Sequence, residues 1–289
     1  MGYYERIQAS IDYMEEHLTE ELSIAEIAAK SLFSPFHYQR LFQAISGFSV
    51  QSYIRHRRLS EAAVLLKETE ARVLEIAVAF QYGSQEAFSR AFAAQFGITP
   101  AKYRKEQASV KLQKRMNFVD YRIQGRDVLT MQKPHIIQLE QTLIVGHEYL
   151  TSLRENQHYR EIPGFYQDFG QNAYFMRIED KAAPDMSYGI ACRFQDNGDF
   201  SFIVGEAVTQ LPEEPGEGLM CFVLPGGKYA EFSSSSQPDG VQNIRDYIYG
   251  TWLPNSNYER RPGPDFEVTD VRNSVYPDKI LMKIYIPIE

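Results

Sequence analysis

The sequence predicts a multidomain chain, an all-α N-terminal domain with two helix-turn-helix units followed by an α+β domain. Three observations predict it. Through residue 107, apolar residues recur at three- and four-residue spacing, as in Ile24, Ile27, Ala28 and Tyr38, Leu41, Phe42, Ile45, with Gly and Pro confined to the gaps. The same stretch repeats itself at an offset of about 50 residues. From about residue 135 the pattern changes to short β-rich runs parted by Gly, Pro, Asn and Asp. A length of 289 residues fits two domains of roughly 100–200 residues each.

In the first domain, residues 1–107, Ser34, Arg40, Phe42, Gly47 and Tyr53 recur as Ser84, Arg90, Phe92, Gly97 and Tyr103, and Glu26-Ile27-Ala28 recurs as Glu75-Ile76-Ala77. Each unit has a short helix (24–30; 73–80), a tight turn, and a longer helix opened by a Ser N-cap at Ser34 or Ser84. Gly47 and Gly97 end those helices, and Ser49 and Thr99-Pro100 open the next ones. Between the units, residues 50–67 form a helix about 27 Å long. Residues 108–133 are mixed and basic and form the connector. In the second domain, 134–289, the runs IIQLEQTLIVG, SYGIACRF, FSFIVGEAV, GLMCFVL, YAEF, DFEVTDV and ILMKIYIPI are strands, with helices near 160–176 and 239–252.

Charge divides with the domains. Residues 1–126 carry a net +3 and residues 127–289 a net −11, so the overall −8 does not argue against a polyanionic partner for the first domain. No apolar run approaches the roughly 18 residues of a membrane helix, and MGYYERIQASIDYMEE lacks the basic and apolar regions of a secretory signal. A cytosolic chain with no membrane partner is expected. Cys192 and Cys221 are too few for a disulfide scaffold or a zinc site and are expected to be buried thiols. The six histidines are scattered, and GxSxG, HExxH, phosphate-loop and dinucleotide patterns are missing, so no enzyme, metal site or cofactor is expected.

Two helix-turn-helix units on one face of a duplex sit about 34 Å apart, which a helix of that length can span. On the first longer helix, Phe36, Gln39, Arg40 and Gln43 share a face opposite the apolar stripe, with His37 beside them; on the second, Gln85, Glu86, Ser89 and Arg90 do. Gln reads adenine, Arg reads guanine or clamps phosphate, and Phe lies against a thymine methyl. Glu86 repels phosphate, so the second helix should grip less tightly. Arg55, His56, Arg57 and Arg58, with Lys102, Arg104 and Lys105, read as phosphate contacts. A polar helix face alone is more often solvated surface; an exposed Phe36 and duplication of the whole unit weigh toward DNA.

Over residues 5–105 the chain resembles the AraC/XylS family DNA-binding domain, whose hallmark run stands here as Phe88-Ser89-Arg90-Ala91-Phe92, Phe96-Gly97, Pro100 and Tyr103-Arg104. It departs from the pattern at Gln81-Tyr82-Gly83, which puts the exact form of the second turn in doubt. The resemblance implies a seven-helix domain that places Phe36, Gln39 and Arg40, then Gln85, Glu86 and Arg90, in successive major grooves of double-stranded DNA. It further implies a transcriptional regulator, an activator working with RNA polymerase. With both units in one chain, a monomer or weak dimer suffices.

Residues 134–289 resemble the GyrI-like effector-binding domain through Leu224-Pro225-Gly226-Gly227-Lys228-Tyr229-Ala230, Trp252-Leu253-Pro254-Asn255-Ser256 and Pro264-Asp265-Phe266-Glu267. That resemblance implies two pseudo-symmetric βαββ halves around a groove for a small-molecule effector, a lipophilic cation held by a carboxylate among aromatics. Matching positions make Glu267 the counter-ion and Trp252 a wall; Tyr149, Phe165, Tyr188, Tyr229 and Tyr285 are further candidates by aromatic type. For Tyr149 and Tyr285, core packing ranks ahead of ligand contact. Two alternatives stand beside it: hydrolysis of a strained ring by Glu267 with a nearby Tyr, and binding of a protein partner.

Overall fold

A computed structural model of the chain describes residues 2–118, 133–236, 238–275 and 278–289. They fall into two units, Met1–Gln124 and Gly125–Glu289.

The first unit is helical: α1 (Tyr3–Glu16), α2 (Ile24–Lys30), α3 (Pro35–Ser46), α4 (Val50–Glu68), α5 (Val73–Ala79), α6 (Gln85–Phe96) and α7 (Pro100–Glu106). The duplicated punctuation has duplicated physics. Ser34 Oγ accepts the His37 amide at 3.4 Å and Ser84 Oγ the Ala87 amide at 3.1 Å, so both longer helices start on a hydroxyl cap. Gly47 and Gly97 end them with φ of 75° and 71°, a conformation in which a Cβ would be strained. The two turns are equivalent as well: Leu32 and Gln81 both take the left-handed conformation, with φ of 57° and 66°. The Gln81-Tyr82-Gly83 departure therefore leaves the turn intact, and the Gln81 side chain is tied to the Thr19 carbonyl at 2.6 Å.

The long helix α4 serves both cores. Tyr53 packs on Phe42, which packs on Tyr38, while Leu59, Ala62, Ala63 and Leu66 join Ile76, Phe88, Phe92 and Tyr103. Of the predicted connector, residues 119–132 lie outside the described residues. Residues 108–118 pack on the helices: the Gln113 amide donates to Ser60 Oγ (2.9 Å), the Met116 amide to the Tyr53 hydroxyl (3.2 Å) and the Phe118 amide to Gln8 Oε1 (2.8 Å).

The second unit holds β1 (His135–Leu139), β2 (Thr142–Ser152), α8 (Gln157–Gln171), β3 (Met186–Cys192), β4 (Asp199–Val208), β5 (Met220–Leu224), β6 (Gly227–Ser236), α9 (Pro238–Tyr247), β7 (Asp265–Asp270) and β8 (Ile280–Pro287). The predicted helix near 160–176 is α8 followed by a 3-10 turn, Tyr174–Arg177. The second predicted helix is α9, continued by a wider π-type turn over Ile248–Trp252.

All strand pairs are antiparallel, in the order β1-β6-β8-β7-β3-β4-β2-β5. That order maps onto itself when β2-α8-β3-β4 is exchanged with β6-α9-β7-β8. The twofold passes between β3 and β7, where Gly189 pairs with Glu267. Each half lends its leading strand to the other's edge, since β1 pairs β6 and β5 pairs β2. Only Glu140–Gln141 joins β1 to β2 and only Pro225–Gly226 joins β5 to β6, although each pair lies at opposite ends of the order. The sheet must therefore curl until its ends meet. Gly226 marks the meeting point: a Cβ there would lie 2.8 Å from the Leu139 carbonyl oxygen. Inside the curl, Ile144, Ile190, Ile203, Leu224, Tyr229, Phe266 and Tyr285 form one core, together with Cys192, whose thiol burial pushes up to about 12.

Candidate functional site

Two surfaces merit description, one in each unit. On α6, Gln85, Glu86 and Arg90 are exposed and Ser89 is half-buried, while Phe88 and Phe92 point into the core. Glu86 stands in the first turn, where hydrogen bonds from its own backbone amide and from Ser84 hold its carboxyl below the ordinary range, with help from Arg90.

The face of α3 differs from expectation. Phe36 is 5% exposed rather than open, and Gln39 (4%), Arg40 (9%) and His37 (4%) are buried with it, while Gln43 is half-buried. His37 packs at 4.9 Å on Phe33, the Gln39 amide nitrogen turns back to the Pro35 carbonyl, and the Arg40 guanidinium lies 5.5 Å over the Phe36 ring. The exposed phenylalanine that argued for a reading face on α3 is thus covered in this structure.

The basic cluster also divides. Arg55 is exposed, and His56 is half-buried with its pKa lowered by desolvation and by Arg55. Arg57 is not a surface cation: it pairs with Glu15 (2.7 Å) and Glu61 (2.6 Å) and donates to the Gln113 carbonyl (2.6 Å). Arg58 donates to the Leu18 and Glu20 carbonyls. Arg104 closes the end of α4 through the Leu66 and Ala71 carbonyls at 2.8 and 2.7 Å. These three arginines hold the helices together. Their charge read as phosphate-seeking in the sequence because Glu15 and the carbonyl partners are distant along the chain. Lys102 and Lys105 are exposed.

In the second unit the register sorts the aromatic candidates. Neighbouring residues of a strand face opposite ways. Phe266 therefore points into the curl, where Tyr285 stacks on it (4.5 Å), Tyr229 meets it edge-on (5.3 Å) and Tyr188 lies at 6.4 Å. Glu267 points the other way, toward α8 and α9. The structure thus does not bring Tyr188, Tyr229 or Tyr285 to Glu267; their hydroxyl partners include Pro225 O for Tyr229 and Glu231 for Tyr285. Tyr149 and Phe165 do share the helix side, stacked at 4.5 Å with 5° between the rings. The Tyr149 hydroxyl donates to Asp168 at 2.7 Å, and burial with that carboxylate pushes its pKa up. Trp252, half-buried, packs edge-on against Phe232 (5.0 Å) and stacks near Tyr258 (6.1 Å).

Glu267 is 3% exposed and holds two partners that sequence reasoning missed. The Tyr166 hydroxyl, from α8, donates to Oε1 at 2.7 Å. The Arg245 guanidinium, from α9, forms a buried ion pair with Oε2. Burial and the adjoining carboxylate raise the Tyr166 phenol well above its ordinary pKa, so it stays a donor. Two positions away, Asp265 repeats the arrangement with the Tyr249 hydroxyl and Arg260. Tyr166 follows the predicted Phe165, and Arg245 lies within the predicted helix 239–252. Neither could be paired with Glu267 without the fold, which joins residues 101 and 22 positions apart. Among the described residues no group of three or more His, Cys, Asp or Glu is placed to hold a metal ion.

Tyr166 reaches Glu267 because position 189, directly across the ladder, carries no side chain. A Cβ there would lie 1.9 Å from the Tyr166 hydroxyl oxygen, 2.8 Å from Phe202 Cζ and 3.0 Å from Glu267 Cγ. Gly189→Ala is expected to cost about 1–3 kcal/mol by overpacking. In a Tyr166→Phe background, which removes the atom in closest conflict, it should cost less. Equal losses of thermal stability in the two backgrounds would show that the hydroxyl is not what Gly189 accommodates.

Comparison with known proteins agrees with both halves. The helix-turn-helix domain family matches residues 27–106, and the family described as integron-associated effector binding protein matches residues 135–288. Right origin-binding protein of Escherichia coli (strain K12) is 30% identical over 288 residues, covering 96% of this chain and 95% of that protein. The transcriptional regulator Rob of Salmonella typhimurium is 28% identical over 291 residues with the same coverage. The regulatory protein SoxS of Escherichia coli (strain K12) is 40% identical over 104 residues, 36% of this chain and 97% of its own length. Among solved structures, the Vibrio cholerae integron cassette protein VCH_CASS2 aligns with a TM-score of 0.40 and 19% identity, over 55% of this chain and 97% of that one. The chain belongs to the AraC/XylS family of DNA-binding transcriptional regulators, with an effector-binding domain behind its double helix-turn-helix.

Proposed function

We propose that this regulator is a cytosolic activator that binds double-stranded DNA as a monomer or weak dimer: the open face of α6 reads one major groove, α3 enters the adjacent one once its covered face is released, a lipophilic cation bound near Glu267 controls it, and RNA polymerase is its target. The observation that carries the DNA half is the exact duplication of cap, left-handed turn and glycine stop on either side of α4, a helix of 19 residues, or about 28 Å. Arg90→Ala and Gln85→Ala are expected to weaken binding to the preferred site by about 1–3 kcal/mol and to relax one base position each. Unchanged base preference in a binding-site selection with these variants would remove α6 from sequence reading.

The effector half rests on a buried carboxylate beneath α8 and α9, with the stacked Tyr149 and Phe165 on the same side of the sheet. An organic cation that takes the place of the guanidinium on Glu267 gains Coulomb attraction there, and aromatic rings on the same side of the sheet add cation–π attraction. Tetraphenylphosphonium should raise the unfolding temperature of the full chain, its isosteric anion tetraphenylborate should not, and Glu267→Gln should abolish the difference. Equal shifts from cation and anion would leave only apolar binding. Hydrolytic use of Glu267 with Tyr166 is less supported, because Tyr166 and Arg245 already engage both carboxylate oxygens.

A further inference from the structure

We propose that Arg245 sets the specificity of this site: its guanidinium occupies the place of the effector's positive charge on Glu267, so a cation binds by exchange with it and frees α9 from the sheet. The inference rests on the reading of Glu267 as the effector carboxylate.

The geometry is that of a closed charge balance. Glu267 stands on the pseudo-twofold, opposite Gly189, and takes one donor from each half of the domain, Tyr166 on α8 and Arg245 on α9. A carboxylate buried to 3% exposure needs a partner cation, and the arginine beside it is 8% exposed. The neighbouring acid, Asp265, has its own guanidinium in Arg260. Acids and guanidiniums are thus matched one to one, and a cation entering without rearrangement gains no net Coulomb attraction. It gains the carboxylate only if a guanidinium leaves.

The two arginines differ in what leaving would involve. Arg260 lies five residues from its acid and also bonds the Arg261 and Gly263 carbonyls, so it is fixed by its own loop. Arg245 joins separate elements and sits in the last turn of α9, immediately before the π-type turn Ile248–Trp252, where the helical hydrogen-bond ladder is already widened. Withdrawal of its side chain would loosen the helix end that carries Trp252 at its far side. Cation binding would then be coupled to a change in α9, which is the differential interaction a ligand needs in order to shift a conformational equilibrium.

The test measures tetraphenylphosphonium affinity of the full chain as wild type, Arg245→Met, and Arg245→Met with Glu267→Gln. Removing the internal competitor should raise affinity at least tenfold, and the added Glu267→Gln should erase the gain. Glu267-dependent binding by the wild type that Arg245→Met leaves unchanged or weakens would overturn the role of Arg245 while leaving the cation site standing. Binding by neither the wild type nor Arg245→Met would overturn both. Because Arg245→Met leaves a buried acid without its cation, a second measurement uses the wild type alone. Saturating tetraphenylphosphonium should speed amide hydrogen exchange across residues 242–252, and unchanged or slower exchange there in the bound state would overturn the exchange mechanism.

Discussion

Phe118→Ala is expected to lower the stability of the helical unit by about 3–5 kcal/mol, the range for emptying a buried aromatic site. Phe118 lies well past α7, yet it is fully buried, with its ring edge-on to Phe42 at 5.8 Å. The segment leading to it is bonded at each step. Gln113 reaches Ser60 and Arg57, Met116 reaches Tyr53, and Phe118 reaches Gln8, so the segment links α4 to α1. Arg57 depends on it doubly, because its remaining partners, Glu15 and Glu61, sit on those same two helices. Amide exchange in α1 and α4 of the full chain is the suitable measurement, since it separates the two units. A loss of a few tenths of a kcal/mol would mean that residues 108–118 merely lie on a domain complete without them.

Arg260→Met should be comparably severe, about 3–5 kcal/mol, because it strands a carboxylate in the protein interior. Asp265 is fully buried and Arg260 is its cationic partner, at 2.7 Å with a second contact at 3.2 Å; the Tyr249 hydroxyl supplies a neutral donor. Asp265 opens β7, the strand that places Glu267, so the loss reaches the proposed effector site. The penalty comes from the uncompensated charge rather than from the missing bonds. Asp265→Asn in the Arg260→Met background should therefore recover a large part of it. If urea midpoints show the double variant no better than the single one, packing around the arginine is what matters.

Much of the architecture was legible in advance. Helix spacing, the Ser34 and Ser84 caps and the Gly47 and Gly97 stops located α2 through α7 because capping and backbone conformation are local properties. Alternation and turn residues located most of the strands for the same reason, although the run IIQLEQTLIVG divides into β1 and β2 and β2 continues to Ser152. The positions of the candidate site residues were legible on elements but not in space. Phe266 and Glu267 are neighbours in sequence, yet one lies in the core of the curl and the other beneath two helices. The aromatics chosen by type divided between those faces. Arg57, Arg58 and Arg104 looked like a phosphate-binding cluster until the fold supplied Glu15, Leu18, Glu20 and Leu66 as partners.

The sequence by itself determined the two-domain order and the duplicated helix-turn-helix, through periodicity and punctuation, while its short motifs carried the family resemblance that implies the βαββ plan. Only the tertiary structure decided that residues 108–118 complete the helical unit, that the α3 face is covered while α6 is open, and that Glu267 already carries a phenol and a guanidinium. The reason is physical. A hydrogen-bonded cap or an amphipathic stripe involves residues within a turn or two of each other. The state of a buried charge depends on whichever groups the fold brings to it, here Tyr166 and Arg245 from opposite sides of a sheet axis that no local pattern encodes.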